Sequence, residues 1–383
     1  MIVQTGNVLL FFVILLQPEF GARGAAAEDY IGRLQSTIIQ SRASVPALTQ
    51  SAERAAGEFL SGGNLWVAGR QPDFITEACQ RAGGLMAMAP LAQHVPANHD
   101  VILYTVPGSF DVNDRKILEE WRGKGAMVIT FSSSAGLFQN NFPIDTVMNV
   151  VELWKWTAEF VAACTRKGKM PVLYQSYGLP GGRERDGKYQ GKRFHDDLSI
   201  QPIAAGILAN EYIDQLQHML ARIQETEIPR MDRAAGWWRK AKSATALVTG
   251  HMFPAQHGQD PRTSHLCTFV RVSAWEDKSL LEANPPEFVL FLGYQFAPQK
   301  FLDETKAKGI KLVYTDVQLG QPAEPSENIV YITPAWPLTD GCVTVPGYDI
   351  PILPASGVVQ AAIYWTIASK AFPDGRSIMD HEK

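Results

Sequence analysis

Cysteine is scarce in this chain of 383 residues, which holds only 4. Cys79, Cys164, Cys267 and Cys342 lie scores of residues apart, with no Cys-x-x-Cys pair and no Cys/His cluster at zinc spacing. Neither a disulfide framework nor a structural metal site is expected, and each cysteine reads as a small buried apolar residue. A surplus of positive charge is missing too. Lys and Arg number 35 against 39 Asp and Glu, a net charge of -4. That balance gives no electrostatic ground for a nucleic-acid or anionic-membrane partner. Past the N-terminus, no apolar run approaches the roughly 20 residues needed to cross a bilayer, so the body is expected to lack a membrane span. What is there is core-forming material: 46% apolar residues against 19% charged. Such a composition is that of a globular chain, and its length suggests two domains at roughly 100 to 200 residues each.

The N-terminus stands apart. Val8 to Leu16 (VLLFFVILL) is an unbroken apolar run, followed by Ala25-Ala26-Ala27 before Glu28. The run is too short to span a membrane; it fits the apolar centre of a secretory signal, and Ala25-x-Ala27 fits a cleavage site. The residues before the run include no Lys or Arg, however. Residues 1–28 are therefore read in one of two ways: a signal peptide that exports the protein, or an extension from a misplaced start that leaves it in the cytoplasm.

The body is organised by alternation. Short apolar runs bounded by Gly or Pro, at Leu65–Ala68, Val101–Thr105 and Met127–Phe131, read as buried parallel strands. A helical stretch from Asn113 to Arg122 lies between the last two. This order implies an α/β fold with a parallel sheet. It then recurs: Ala246–Gly250, Glu287–Gly293 and Gly309–Thr315 repeat the three strands. Each copy opens on a Tyr-Ile pair, Tyr30-Ile31 and Tyr212-Ile213, and each is expected to close on a proline followed by small residues and a helix, at Pro202 and Pro354. The chain thus reads as a tandem duplication, residues 29–210 and 211–383, hinged at Leu198 to Asn210. On this alignment the first copy carries an insertion before its closing proline. The insertion holds a Trp-rich helix from Thr146 to Lys167, whose Trp154 and Trp156 read as packing residues, and a Gly/Arg/Lys-rich loop from Gly178 to His195.

Two segments give the pattern a family likeness. Glu77-Ala78-Cys79-Gln80-Arg81-Ala82-Gly83-Gly84-Leu85 resembles the E-x3-R-A-G-G-L segment after the first strand of many bacterial sugar isomerase (SIS) proteins. Pro346-Gly347-Tyr348, with Pro354-Ala355-Ser356-Gly357-Val358-Val359, resembles their closing segment. The likeness covers residues 30 to 372. It implies two SIS-like units, each a parallel sheet flanked by helices in a flavodoxin-like, Rossmann-like three-layer sandwich, with no cofactor. It also implies a phosphorylated or otherwise anionic sugar as ligand and a homodimer as assembly. The activity implied is either aldose-ketose isomerisation or a catalytically silent sugar-binding or sensory role.

An SIS site captures an anion at the carboxyl ends of parallel strands, on loops rich in Gly, Ser and Thr and on helix N-termini. The corresponding residues here are Gly69, Arg70, Thr105, Gly108, Ser109, Ser132, Ser133 and Ser134, with Arg81 and Ser356 supplied by the two family-like segments. The family's usual Gly-x-Gly-Ser and Ser-x-Ser-Gly-x-Thr loops are not reproduced, and Pro72 and Pro107 each remove an N–H. The second copy's loops, Gly250 to Pro254 and Gly293 to Pro298, are bulky and short of hydroxyls, unsuited to phosphate; that site reads either as one that has lost its ligand or as one that stacks aromatic faces on a sugar ring.

Isomerisation needs a base and a ring-opening acid/base. By its Glu-x3-Arg context, the resemblance assigns the base to Glu77; the alternative is a helical ion pair with Arg81. His195 and His218 are the candidates for the acid/base, and either reads equally as a solvated residue. His251, His257 and His265 form a loose cluster without metal-ligand spacing. The basic loop from Gly178 to His195 reads either as a lid over an anionic ligand or as a mobile surface loop.

Overall fold

In a computed structural model, the described residues are 29–79, 81–139, 142–249, 266–272, 285–293, 299–315, 317 and 326–374. The N-terminal apolar run and the histidine cluster at His251, His257 and His265 lie outside them.

The first unit opens with α1 (Tyr30–Gln40) and α2 (Val45–Leu60), then builds a sheet from β1 (Leu65–Gly69), β2 (Met88–Pro90), β3 (Val101–Thr105) and β4 (Met127–Phe131), with α3 (Pro72–Ala78) after β1 and α4 (Val112–Gly123) after β3. A small hairpin, β5 (Leu137–Phe138) with β6 (Phe142–Pro143), leads into α5 (Asp145–Arg166). An irregular stretch containing α6 (Gly182–Tyr189) connects to the second unit. That unit repeats the scheme with α7 (Ile207–Thr226), α8 (Ile228–Lys240), β7 (Ala244–Thr249), β8 (Thr268–Val272), β9 (Phe288–Leu292), α9 (Gln299–Ala307), β10 (Lys311–Thr315) and β11 (Ile329–Tyr331). It ends with the hairpin β12 (Gly341–Val343) and β13 (Ile352–Pro354) and the helix α10 (Ser356–Ala371).

Both sheets are parallel, in the orders β2-β1-β3-β4 and β11-β10-β9-β7-β8. Read from the second strand of each unit, the two orders coincide, except that the first sheet has no counterpart of β11 among the described residues. The expected α/β fold with two parallel-sheet units is therefore what the chain adopts. Burial explains the sequence pattern: every residue of β3 and β9 is buried, as parallel strands covered on both faces require. Helix α4 starts where Asp111 and Asp114 form a reciprocal capping box.

One hydrogen bond marks the duplication. The Tyr30 hydroxyl donates to the Pro143 carbonyl at 2.6 Å, and the Tyr212 hydroxyl donates to the Pro354 carbonyl at 3.0 Å. Each tyrosine on a unit's opening helix thus ties down the residue before the N-cap of its closing helix. This equivalence corrects the expected alignment. The partner of Pro354 is Pro143, not Pro202, which leads into α7 of the next unit. The tyrosine and its proline are 113 residues apart in the first unit and 142 in the second, so the extra residues lie in the second copy, where β11 occurs. The Trp-rich helix is no insertion either. It is the closing helix α5, with Trp154 and Trp156 fully buried.

Those two closing helices are buried nearly all round and form the centre of the molecule. Helix α5 packs against α2 of its own unit and α7 of the other; α10 packs against α8 of its own unit and α1 of the other. The reciprocal crossing is that of a pseudo-twofold arrangement. No helix among the described residues is long and apolar enough to cross a membrane.

Candidate functional site

At the carboxyl ends of the first sheet, three loops converge on a buried amide pair that the sequence reading missed. Gln71 sits at the start of α3 and Asn149 in the first turns of α5, 2% and 0% exposed. Asn149 Nδ2 donates to Gln71 Oε1 at 2.8 Å and to the Val106 carbonyl at 3.0 Å, while its Oδ1 accepts from the Ser133 N–H at 2.8 Å. Gln71 Nε2 donates to the Thr146 carbonyl at 2.9 Å. The loops after β1, β3 and β4 are thereby locked to one another, with buried Thr105 beneath and Gly108, Ser109, Ser132 and Ser134 exposed above. Gly69 has no alternative: its φ is +128°, and a Cβ there would stand 2.0 Å from the Thr105 carbonyl oxygen. A lone Asn within Val147-Met148-Asn149-Val150-Val151, an otherwise apolar helical run, was the available signal.

Cationic help in this crevice is already engaged. Arg70 is bound to Asp114 through Nε at 3.0 Å and Nη2 at 2.7 Å. Burial opposes ionisation of Asp114, but the hydrogen bonds from Arg70 and Tyr104 prevail and hold its carboxyl at about 2. The N-terminus of α5 is likewise occupied, since Asp145 accepts from the Thr146 N–H at 2.8 Å. An incoming anion would meet hydroxyls and loop amides here, with no unpaired cation among the expected residues.

Arg81 and Ser356 are not in this crevice. They meet at the junction between units, with Glu77. Arg81 Nη2 donates to Asp340 at 2.8 Å and also to the Ser356 hydroxyl, and Asp340 accepts from the Ser356 N–H at 3.0 Å. Asp340 does this from a left-handed backbone, φ 61°, a conformation that Asp tolerates better than most residues. Gly83 joins the same seam: its carbonyl accepts from the Leu353 N–H at 2.9 Å. Glu77 is 1% exposed, 3.6 Å from Arg81 Nη1, and neither of its oxygens has a hydrogen-bond partner. A Cβ on Gly357 would lie 2.6 Å from Glu77 Oε2, so the carboxylate rests against the first turn of α10. Burial raises its carboxyl to about 7, with Arg81 opposing that shift. Asp73, one turn earlier and also buried, is raised to about 7 by the same cause. Arg81 and Ser356, expected among the anion-site residues, are therefore set apart from the loops after β1, β3 and β4, and Glu77 stands with them. Glu77 and Arg81 belong to the first unit but face the second, because α3 ends at Ala78 and the chain then turns onto the β12–β13 hairpin.

The two histidines are elsewhere. His195 is buried, with Nδ1 at 3.2 Å from Asp197 and Nε2 at 3.1 Å from the Tyr348 hydroxyl. His218 is exposed on α7. Neither is brought against Glu77. The basic loop is not an open lid, since residues 182–189 form α6 and its cations are engaged. Arg185 binds Asp349 at 2.7 and 2.9 Å and the Tyr348 hydroxyl at 3.1 Å. Lys188 binds Asp197 at 2.6 Å, Lys192 binds Asp196 at 3.0 Å, and Arg193 covers the Phe59 ring at 3.8 Å. Among the described residues, no group of His, Cys, Asp and Glu is arranged to hold a metal ion.

No family model and no curated protein matches the chain. Solved structures do match. The C-terminal domain of glucosamine-fructose-6-phosphate aminotransferase from Francisella tularensis superposes with a TM-score of 0.52 at 10% identity, over 90% of this chain and 96% of that one. The chain has the SIS fold. A candidate phosphosugar isomerase from Silicibacter pomeroyi matches over 91% of this chain and 99% of its own, at 14% identity and a TM-score of 0.47. At these identities the likeness is one of fold, and the SIS architecture leaves the ligand to be argued from the residues.

Proposed function

We propose that this chain binds an anionic sugar derivative in the crevice at the carboxyl ends of β1, β3 and β4. The observation that carries the reading is the rigid Gln71–Asn149 frame. It fixes three loops from below, so that the Ser109 and Ser134 hydroxyls, which have no partner among the described residues, stand on pre-organised supports at the place where open α/β sheets take ligands. The aminotransferase domain that shares the fold bears the name of a sugar phosphate, which supports the same ligand class. Isothermal titration with fructose 6-phosphate and with fructose tests it. Binding of the phosphate alone, lost in Asn149→Ala, is expected; equal binding of both sugars, or of neither, would refute it.

A second reading is favoured by Glu77. A carboxyl raised to about 7, with neither oxygen hydrogen-bonded at a junction between units, has the acidity of a general base working near neutral pH. Proton transfer on a sugar there places the chemistry on the second unit's side, away from the first crevice. Glu77→Gln keeps the shape and removes the base. Unchanged turnover of a responsive sugar phosphate in that variant would exclude the reading.

A further inference from the structure

Among the described residues, the first sheet ends where the second continues. In the second unit β11 pairs with β10 along Leu312↔Ile329, Val313↔Val330 and Tyr314↔Tyr331; among the described residues, the equivalent edge of β4 has no strand beside it. On the inner side, the Met127 N–H donates to the Asp100 carbonyl and the Phe131 carbonyl accepts from the Val106 N–H. In a parallel ladder, alternate residues bond to the same neighbour, so the backbone groups of Val128 and Thr130 face outward. The side chains of these two residues share the face turned to α4, where Val128 packs on the cluster of Tyr104, Val106 and Leu118. Between that face and α4 runs a groove of about 430 Å³, with Phe110 and Leu118 in its lining, Arg115, Glu119 and Arg122 along the helix, so that the arginines at its two ends outnumber the one acid between them, and Thr130 on the strand. Both arginines are exposed and, unlike that of Arg70, neither side chain has an ion pair or hydrogen bond among the described residues.

We infer that this edge receives an extended acidic segment of a partner protein, which adds to β4 as the missing fifth strand. Strand addition uses the outward N–H and C=O groups of Val128 and Thr130 for affinity and the groove for specificity. The side-chain pattern follows from geometry. Arg115 and Arg122 are separated by about 10 Å along the helix at 1.5 Å per residue. Residues four apart on a strand advance about 13 Å and point to the same face. An acidic residue at each end brackets the two arginines, and the residue midway between them lies over Leu118 and is apolar. The segment therefore reads acidic-x-apolar-x-acidic. The site is independent of the sugar crevice except at its rim, where Ser109 and Ser132 line the groove.

The test is fluorescence anisotropy at low salt, with the full chain and a capped, labelled peptide Thr-Glu-Thr-Val-Thr-Glu-Thr, against the same peptide with Lys for Glu. The expected result is saturable binding of the acidic peptide below about 1 mM. The affinity should fall at least about tenfold in Arg115→Glu/Arg122→Glu and by a similar factor in Thr130→Pro. Proline is tolerated on an edge strand whose N–H faces out, so Thr130→Pro should keep its melting temperature while losing the outward donor. Equal binding of the lysine peptide, or no saturable binding, overturns the proposal. So does full binding by Thr130→Pro, which would mean that charge alone holds the peptide. Self-association of the chain that Thr130→Pro abolishes overturns it as well, in favour of a second copy at the same edge.

Discussion

The two units share their strand order and their tyrosine latch, yet they treat the closing helix differently. In the first unit the N-terminus of α5 is satisfied from within: Asp145 and the Gly136 carbonyl take its amides. In the second, the N-terminus of α10 is held by Asp340, which is itself bound to Arg81 from the other unit. One fold can thus present the same helix end as a self-contained element or as half of a seam. The consequence is chemical. The first crevice has its charges paired on the spot, whereas the second unit's helix end has collected buried charges on three residues from both halves of the chain: Glu77, Arg81 and Asp340.

If that seam joins the units, breaking it should have the largest effect. Asp340→Ala leaves Arg81 buried without its hydrogen-bonded counter-ion, with only Glu77 at 3.6 Å, and removes the acceptor from the Ser356 N–H. Removing one partner of a buried pair costs about 3 to 5 kcal/mol. Denaturant unfolding should show a loss of that size, and Arg70→Ala, whose guanidinium is nearly half exposed, should lose far less. Equal losses would erase the distinction between the two sites.

A smaller effect, and a sharper one, is pH dependence. Glu77 titrates at about 7 in the folded chain against an ordinary 4.5, so the folded state holds this proton more tightly than the unfolded state does. Stability is therefore greatest below about pH 4.5 and declines as pH rises towards 7, by about 3 kcal/mol at 1.36 kcal/mol per pH unit. Asp73 acts in the same direction. Glu77→Gln cannot ionise, and since Arg81 retains Asp340, no charge is orphaned. Melting curves between pH 4.5 and 7.5 should be flatter in this variant than in the parent, and parallel curves would show that Glu77 does not titrate in this range.

The strands were legible because buried parallel strands are continuous apolar runs, and Val101–Thr105 or Phe288–Leu292 reads as little else. The 3-residue β2 and β11 were not, since so short a run is lost among loop residues. Aligning Pro202 with Pro354 failed for a related reason: a proline before a helix is a local signal, and it precedes α5, α7 and α10 alike. Of the candidate site, the sequence pointed to the loop residues Thr105, Ser109 and Ser132 to Ser134, whose signal is local. It could not announce where Glu77 and Arg81 face. Arg81 meets Asp340 across 259 residues of sequence, and only the packing of one unit on the other sets that contact. Gln71 and Asn149 were passed over because a single buried amide has no spacing to give it away.

The finest comparison between the units is the tyrosine pair. Tyr30→Phe and Tyr212→Phe each remove a hydroxyl from a buried bond to a proline carbonyl, and neither opens a cavity. A buried carbonyl that loses its donor costs about 1 to 3 kcal/mol. If the latch is one device used twice, the two variants should cost similar amounts, and their effects should add in the double variant, since the bonds share no partner. The environments differ in one respect. Tyr30 also packs edge-on against Phe138 with ring centroids 5.8 Å apart, and a phenylalanine keeps that contact, so it leaves the comparison untouched. Unequal costs would locate a further asymmetry next to Tyr212, which stands beside the charged seam: the nearby Glu77 and Asp340 help raise its phenol well above the usual range, although burial is the larger cause. A larger loss for Tyr212→Phe would then mean that the latch and the seam are coupled. Repeating the measurement on the Glu77→Gln background separates the two, because coupling should bring the cost of Tyr212→Phe towards that of Tyr30→Phe.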